Sequence, residues 1–420
     1  MDKLLIKGGR KLRGTVAISG AKNAALPILA ATLLTDEECV IKNVPTLSDV
    51  NTMIRILCEL GKEVIKTGHT VKVKTKDRIK CRAPYELVST MRGSICVLGP
   101  LIGKRKKAEV SFPGGCVIGP RPIDLHLKGL RDLGVNIKVK GGYIIGSGKK
   151  MAGARIYLGG HFGSSVLATA NVLMASVLIK GKTVIENAAC EPEVGDLVQF
   201  LRKMGAKING ETSPRLEITG VKKLNGSTYS IIPDRIEAGT YMLAAAITKG
   251  DVYLRGAKFD NMLALIDKMR EAGVVIEKKS NGIHIRHKRP IKPLDVTTLP
   301  YPGFPTDLQA QMMALLSITN GISVITEKIY PERFIHISEL NRMGAQIVLE
   351  GPSAIIKGVN RLSGAPVMAS DLRASASLVL AGLVAKGVTE ISRIYHLDRG
   401  YEELENKLRK LGADITRIKE

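Results

Sequence analysis

Two kinds of helical stretch alternate along this chain. The first is apolar nearly all round and rich in small residues: Leu26-Pro-Ile-Leu-Ala-Ala-Thr-Leu-Leu, Leu167-Ala-Thr-Ala-Asn-Val-Leu-Met-Ala-Ser-Val-Leu, Tyr241-Met-Leu-Ala-Ala-Ala-Ile and Leu372-Arg-Ala-Ser-Ala-Ser-Leu-Val-Leu-Ala. A helix with no polar face has to be buried, and small side chains let neighbouring helices approach closely. The second kind ends in Leu, Met or Ala followed by Gly, then runs into a short β-like segment. It appears as Glu59-Leu-Gly-Lys-Glu-Val, Asp132-Leu-Gly-Val-Asn-Ile, Lys203-Met-Gly-Ala-Lys-Ile, Glu271-Ala-Gly-Val-Val-Ile, Arg342-Met-Gly-Ala-Gln-Ile and Lys410-Leu-Gly-Ala-Asp-Ile. Glycine is expected where a helix turns left-handed before entering a strand. These six glycines, at 61, 134, 205, 273, 344 and 412, lie 73, 71, 68, 71 and 68 residues apart, so the chain consists of six copies of one unit.

Each copy supplies one inner helix, ending at Gly103, Gly181, Gly250, Gly321 and Gly387 in five copies and at Asp36 in the first. A β-rich run follows, such as Thr183-Val-Ile-Glu or Val252-Tyr-Leu-Arg. The unit is βαβαββ-like and the fold class α/β, with sheets outside and helices inside. From the first marker to the second, the copies measure 25, 31, 24, 23, 23 and 25 residues. The second copy therefore carries about seven additional residues within 103–134. Residues added to a regular scaffold are where function tends to be placed, because the scaffold folds without them.

At 420 residues there is room for two or more cores, and 45% apolar with 24% charged residues is ordinary for a globular protein. The start lacks a signal-peptide core and no run of 18 apolar residues occurs, so a soluble, cytoplasmic protein without membrane insertion is expected. The six cysteines, at 39, 58, 81, 96, 116 and 190, have neither zinc-site spacing nor the density of a disulfide scaffold. A net charge of +24 raises the question of nucleic acid. Aromatics at 4%, the lack of Trp, and dispersed basic residues apart from short clusters such as Gly103-Lys-Arg-Lys-Lys argue against such a partner. A basic cleft for a multiply anionic small substrate, on a generally basic surface, explains the charge as well.

Candidate chemistry concentrates at loops and inner-helix starts. Cys116 lies in Pro113-Gly-Gly-Cys-Val-Ile-Gly-Pro, where three glycines and two prolines deny it a helix or central strand, and Arg121 follows five residues later. Such a loop exposes the thiol beside a cation that favours the thiolate; the alternative is an incidental surface thiol. Lys22 and Asn23 open the first inner helix, where the helix N-terminus and the ammonium both favour anions, or else they are a solvated lysine and a cap. Thr306-Asp307 and Asp371 with Arg373 open two more, leaving Asp307 as either an N-cap or a carboxylate held at a domain edge. Arg92, Arg121, Arg333, Arg373 and Arg399 sit at repeat junctions, suited to bidentate phosphate or carboxylate binding or to surface ion pairs. Without HExxH, GxxxxGK[ST], GxGxxG or GxSxG, no metal and no cofactor is expected.

Over essentially its whole length the chain resembles the UDP-N-acetylglucosamine 1-carboxyvinyltransferase family of enolpyruvyl transferases. The segments that carry the likeness are Gly20-Ala-Lys-Asn-Ala-Ala-Leu-Pro, Pro113-Gly-Gly-Cys-Val-Ile-Gly-Pro-Arg-Pro-Ile-Asp-Leu-His, Ile185-Glu-Asn-Ala-Ala, Pro302-Gly-Phe-Pro-Thr-Asp-Leu-Gln, Arg342-Met-Gly-Ala and Asp371-Leu-Arg-Ala. The resemblance implies the EPSP synthase-like fold: two inside-out α/β barrel domains of three repeats each, with the active site between them. One domain is an insertion of 21–230 carrying the Cys116 loop; the other is discontinuous, 1–20 with 231–420, and carries Asp307 and Arg399. It further implies transfer of the enolpyruvyl group of phosphoenolpyruvate to the 3′-hydroxyl of UDP-N-acetylglucosamine with release of phosphate, the first committed step of peptidoglycan synthesis.

That chemistry needs an acid and a base on opposite sides of the reacting carbons. The family pattern gives the base role to Asp307, the acid role and a covalent bond to phosphoenolpyruvate to Cys116, and catalytic roles to Lys22 and Arg399. Lys22, Asn23, Arg92, Arg121 and Arg399 are implied at phosphoenolpyruvate. Asn23, Arg92, Arg121, Pro122, Ile123, Asp124, Leu125, His126, Ser165, Val166, Thr306, Asp307 and Ile329 are implied at the nucleotide sugar, with Arg333, Asp371 and Arg373 in support. Two positions depart from the family pattern: Leu167 replaces a common glycine in Ser165-Val-Leu-Ala-Thr169, and Pro331-Glu332 replaces Glu-Asn. The alternatives are the shikimate-pathway enolpyruvyl transferase, which lacks the Pro-Gly-Gly-Cys loop, and a basic RNA-processing protein on a related scaffold.

Overall fold

The computed structural model describes residues 2–114 and 122–419. Cys116 and Arg121 lie outside the described residues. The described chain divides into two compact units, one of residues 2–19 with 233–419 and one of 20–114 with 122–232. Each unit holds three four-stranded sheets and three inner helices.

The third repeat shows the plan. A short strand Arg155–Tyr157 leads through the inner helix Val166–Ser176 to Lys182–Glu186, and the outer helix Pro192–Lys203 leads to Lys207–Asn209 and Arg215–Thr219. The first strand pairs parallel with the second, Ile156 opposite Ile185; the fourth pairs antiparallel with both the second and the third, Ile185 opposite Leu216 and Ile208 opposite Ile218. These isoleucines and Leu216 face inward, which fixes the register, since a one-residue slip would turn them all to water. The inner helices Lys22–Ala31, Leu98–Arg105 and Val166–Ser176 pack together in one unit, and Arg235–Ile247, Gln309–Leu316 and Leu372–Gly382 in the other. Their alanines and glycines are buried on every side, as an apolar circumference demands. The outer helices are one-faced: in Ser48–Glu59 the buried apolar residues are Val50, Met53, Ile56 and Leu57.

Two expectations are corrected, and the strand order adds a third finding. The repeats are not linear. The strand Arg13–Ala17 serves as first strand of the fourth sheet beside Asp251–Arg255, and Thr228–Ser230 as first strand of the first sheet beside Cys39–Lys42. Lys3–Lys7 completes the sixth sheet between Val388–Ser392 and Asp414–Ile418. The six outer-helix glycines all adopt φ between +85° and +104°, but the inner helices do not end on their glycines. Helices stop five residues before Gly181, Gly321 and Gly387, which lie at the entry to the next strand, while Gly103 lies inside Leu98–Arg105. A Cβ at Gly103 would meet the carbonyl oxygens of Met174 and Ala175 at 3.0 Å, so helix contact, and not a turn, requires glycine there. Counted from the strand after the inner helix to the second glycine, the repeats span 22, 27, 23, 22, 22 and 24 residues, so the second repeat is longer by three to five residues, not seven.

Candidate active site

In the unit of 2–19 and 233–419, Pro305 leads into a single 3-10 turn, Thr306–Leu308, that opens the inner helix Gln309–Leu316. Asp307 does not cap that helix with its side chain. Its carboxylate lies between two arginines: Arg333 Nη1 donates to Oδ1 at 2.9 Å and Arg373 Nη2 donates to Oδ2 at 2.9 Å. Both arginines are buried, at 6% and 2% exposure, whereas the Asp307 side chain retains 26%. Burial by itself would raise the Asp307 pKa; the charges and hydrogen bonds of Arg373 and Arg333 outweigh it and hold the carboxyl well below the usual range. Arg373 is aimed by the helix it stands on, for Asp371 caps Leu372–Gly382 by accepting from Arg373 N at 2.8 Å and Ala374 N at 3.2 Å.

Behind this centre lies a buried polar group that the sequence reading missed. Gln311 Nε2 donates to the Asp307 carbonyl and to the Tyr401 hydroxyl, each at 3.0 Å, and the Arg373 guanidinium lies over the Tyr401 ring at 5.3 Å. Glu327 accepts from Thr306 Oγ1 at 2.9 Å and from Ile329 N at 2.8 Å. The signal for Gln311 was there to be used, since a glutamine directly before the apolar run Met312-Met-Ala-Leu-Leu, on an inner helix, needs a partner. Arg399 ends the half-buried 3-10 segment Ile394–Arg399. Next to it, a Cβ at Gly400 would stand 2.5 Å from the Leu372 side chain, so the segment lies tight against the helix bearing Arg373. Pro331 occupies the second position of a turn in which Arg333 N donates to Tyr330 O at 2.9 Å, a position that suits proline.

In the unit of 20–232, Lys22 and Asn23 begin the first inner helix. Lys22 Nζ lies 3.1 Å from Oδ2 of Asp49, a buried aspartate in the first turn of Ser48–Glu59 that the sequence reading also missed. Arg92 starts the 3-10 segment Arg92–Val97, and its Nη2 donates to the Pro122 carbonyl at 3.2 Å. The cationic residue is thereby tied to the point where the described chain resumes. Pro122 and Asp124 are exposed, Leu125 is half-buried and Ile123 is buried. The His126 side chain is buried, with Asn171 Nδ2 donating to Nδ1 at 2.9 Å. Burial, with a smaller contribution from the Arg92 charge, lowers its pKa to about 3, so it is a neutral interior group. Ser165 caps Val166–Ser176 by accepting from Ala168 N at 3.3 Å; Val166 and Leu167 are half-buried, Leu167 against the core.

The structure thus gathers Thr306, Asp307, Arg333 and Arg373 directly, with Ile329 one carboxylate away, and joins Arg92 to Pro122. Among the described residues, no helix is long and apolar enough to cross a membrane.

Comparison with known proteins follows the same lines. Residues 6–408 match the family model described as EPSP synthase (3-phosphoshikimate 1-carboxyvinyltransferase). A protein of Methylacidiphilum infernorum named UDP-N-acetylglucosamine 1-carboxyvinyltransferase is 54% identical over 418 residues, covering 100% of this chain and 99% of its own. One of the same name from Desulfatibacillum aliphaticivorans is 53% identical with 100% coverage of both. In fold, the chain is similar to the enolpyruvyl transferase NikO of Streptomyces tendae, with TM-score 0.89, 24% identity and coverage of 99% and 98%. It is also similar to EPSP synthase of Acinetobacter baumannii, with TM-score 0.77, 17% identity and full coverage of both chains.

Proposed function

Because this chain belongs to the UDP-N-acetylglucosamine 1-carboxyvinyltransferase family, we propose that it transfers the enolpyruvyl group of phosphoenolpyruvate to the 3′-hydroxyl of UDP-N-acetylglucosamine, releasing phosphate. The observation that carries this reading is the full-length identity above 50% to relatives of that name, against 17% or less for the EPSP synthases of the same fold. The product is a precursor of peptidoglycan, and both substrates are small anions of the cytoplasm, where we place the enzyme.

In the first half of the reaction the acceptor oxygen bonds to C2 of phosphoenolpyruvate, its proton leaves, and C3 gains a proton, giving a tetrahedral adduct. In the second half the C2–O bond to phosphate breaks and C3 gives up a proton, restoring the double bond. Asp307 would take the hydroxyl proton. Held by two arginines it is a weak base, so it accepts that proton only as C–O bond formation makes the hydroxyl more acidic. Cys116 would deliver the proton to C3, while Lys22, Asn23, Arg92, Arg121 and Arg399 would bind the phosphate and carboxylate and offset their charge. Thr306, Ile329 and the 121–126 and 165–166 segments would contact the nucleotide sugar.

The test is phosphate release from phosphoenolpyruvate with each acceptor. Release with UDP-N-acetylglucosamine and none with shikimate 3-phosphate is expected; the reverse would assign the shikimate-pathway reaction. A thiol-directed epoxide such as fosfomycin should inactivate the enzyme by alkylating Cys116, and Cys116→Asp should be resistant, as mass spectrometry of the adduct would establish. Labelling at Cys190 instead would remove the role given to Cys116.

A further inference from the structure

Glu327 is fully buried just past the strand Ile322–Thr326, and none of the roles above uses it. Among the described residues it makes no ion pair. Its carboxylate instead accepts four hydrogen bonds: at Oε1 from Thr298 Oγ1 at 2.6 Å, Ile329 N at 2.8 Å and Tyr330 N at 3.0 Å, and at Oε2 from Thr306 Oγ1 at 2.9 Å. A buried charge satisfied only by neutral donors is expensive to keep, and what it gives in return is direction. Thr306 has one proton and commits it to Glu327. Its lone pairs are then left for Arg333, whose Nη1 donates to Thr306 Oγ1 at 3.0 Å and to Asp307 Oδ1 at 2.9 Å. The same carboxylate fixes the backbone of Ile329 and Tyr330, at the start of the turn that delivers Arg333.

We propose that Glu327 is a positioning residue for the transfer reaction: by orienting the Thr306 hydroxyl and shaping the 328–333 turn, it seats Arg333 on Asp307 and holds the acceptor-side contacts in place. This inference rests on the proposed function. It is tested by steady-state phosphate release with the full-length enzyme carrying Glu327→Gln, Thr306→Val, Thr306→Ser or the first two together, with each folded state checked by thermal unfolding. Glutamine keeps the size but loses one acceptor, and valine removes the relay. Each should lower kcat and raise KM for UDP-N-acetylglucosamine, by roughly tenfold to a hundredfold in kcat/KM, leaving KM for phosphoenolpyruvate within about twofold. Thr306→Ser, which keeps the hydroxyl, should lose less than Thr306→Val, and the double variant should be no worse than the poorer single, because both break one chain.

Folded Glu327→Gln and Thr306→Val enzymes with wild-type kinetics would overturn the role, as would additive losses in the double variant or equal rises in both KM values. If Glu327→Gln does not fold, Thr306→Val against Thr306→Ser decides the matter. A wild-type enzyme that transfers nothing to UDP-N-acetylglucosamine overturns the proposed reaction and this role with it, an outcome distinct from active wild type with indifferent variants.

Discussion

The two units treat charge in opposite ways. In the discontinuous unit a carboxylate, Asp307, stands between two buried arginines, each donating at 2.9 Å. In the inserted unit a cation, Lys22, stands beside a buried carboxylate, Asp49, at 3.1 Å. The first arrangement keeps an acid ionised against the cost of burial; the second directs a flexible lysine stem by pairing its ammonium with a buried carboxylate. A fold repeated six times thus supplies two different electrostatic instruments, and the difference lies in which residue type opens each inner helix.

Replacing the carboxylate should have the largest effect. Asp307→Asn is expected to lower kcat by about 10²–10⁴-fold, since it removes the proposed proton acceptor and leaves Arg333 and Arg373 facing a neutral amide. Stopped or continuous phosphate assays at saturating substrates measure this; a loss under fivefold would assign the base to another group. In the inserted unit the corresponding change is milder. Asp49→Asn keeps an acceptor for Lys22 but not the charge, and should raise KM for phosphoenolpyruvate by about two- to fivefold with kcat little changed, as for loss of one partly buried ion pair. An effect as large as that of Asp307→Asn would erase the contrast between the units.

The last effect vanishes at neutral pH and concerns acid. His126 titrates at about 3 when folded against 6.5 unfolded, so the unfolded chain binds the proton first. Its contribution to stability is complete above about pH 6.5 and falls as pH drops toward 3, by at most about 1.4 kcal/mol per pH unit. His336, in the other unit, is lowered by burial to about 4 and acts in the same sense. His126→Gln, which still accepts from Asn171, should flatten the acid dependence of amide-exchange protection in Leu98–Arg105 and Val166–Ser176 while leaving that of Leu372–Gly382 unchanged.

Much of the fold was legible because its punctuation is physical: a glycine two residues past each outer helix adopts a φ that other residues resist, and six of them cannot hide. The exchanged strands were not legible. Arg13–Ala17 and Thr228–Ser230 are short, and their partners lie more than 180 residues away, beyond the reach of any local pattern. Gly103 misled because close packing and turning both call for glycine, and only the nearby carbonyls of Met174 and Ala175 separate the two. In the site, charged residues at helix starts were visible, whereas Asp49, Asn171, Glu327 and Gln311 serve through burial and acquire partners only in three dimensions. Asn171 and Gln311 left a trace as polar residues within apolar helices; Glu327 and Asp49 left none.

The strand Lys3–Lys7 leaves the ribosome long before the strands it pairs with, Val388–Ser392 and Asp414–Ile418. At synthesis rates of about 5–20 residues per second, it waits on the order of 20–80 s without its neighbours. The described residues of the inserted unit, 20–114 and 122–232, are synthesised well before that. During the wait Leu4, Leu5 and Ile6 form an unpaired apolar edge, and the lysines at either end, Lys3 and Lys7, are the charges that discourage such an edge from joining another chain before its own sheet exists.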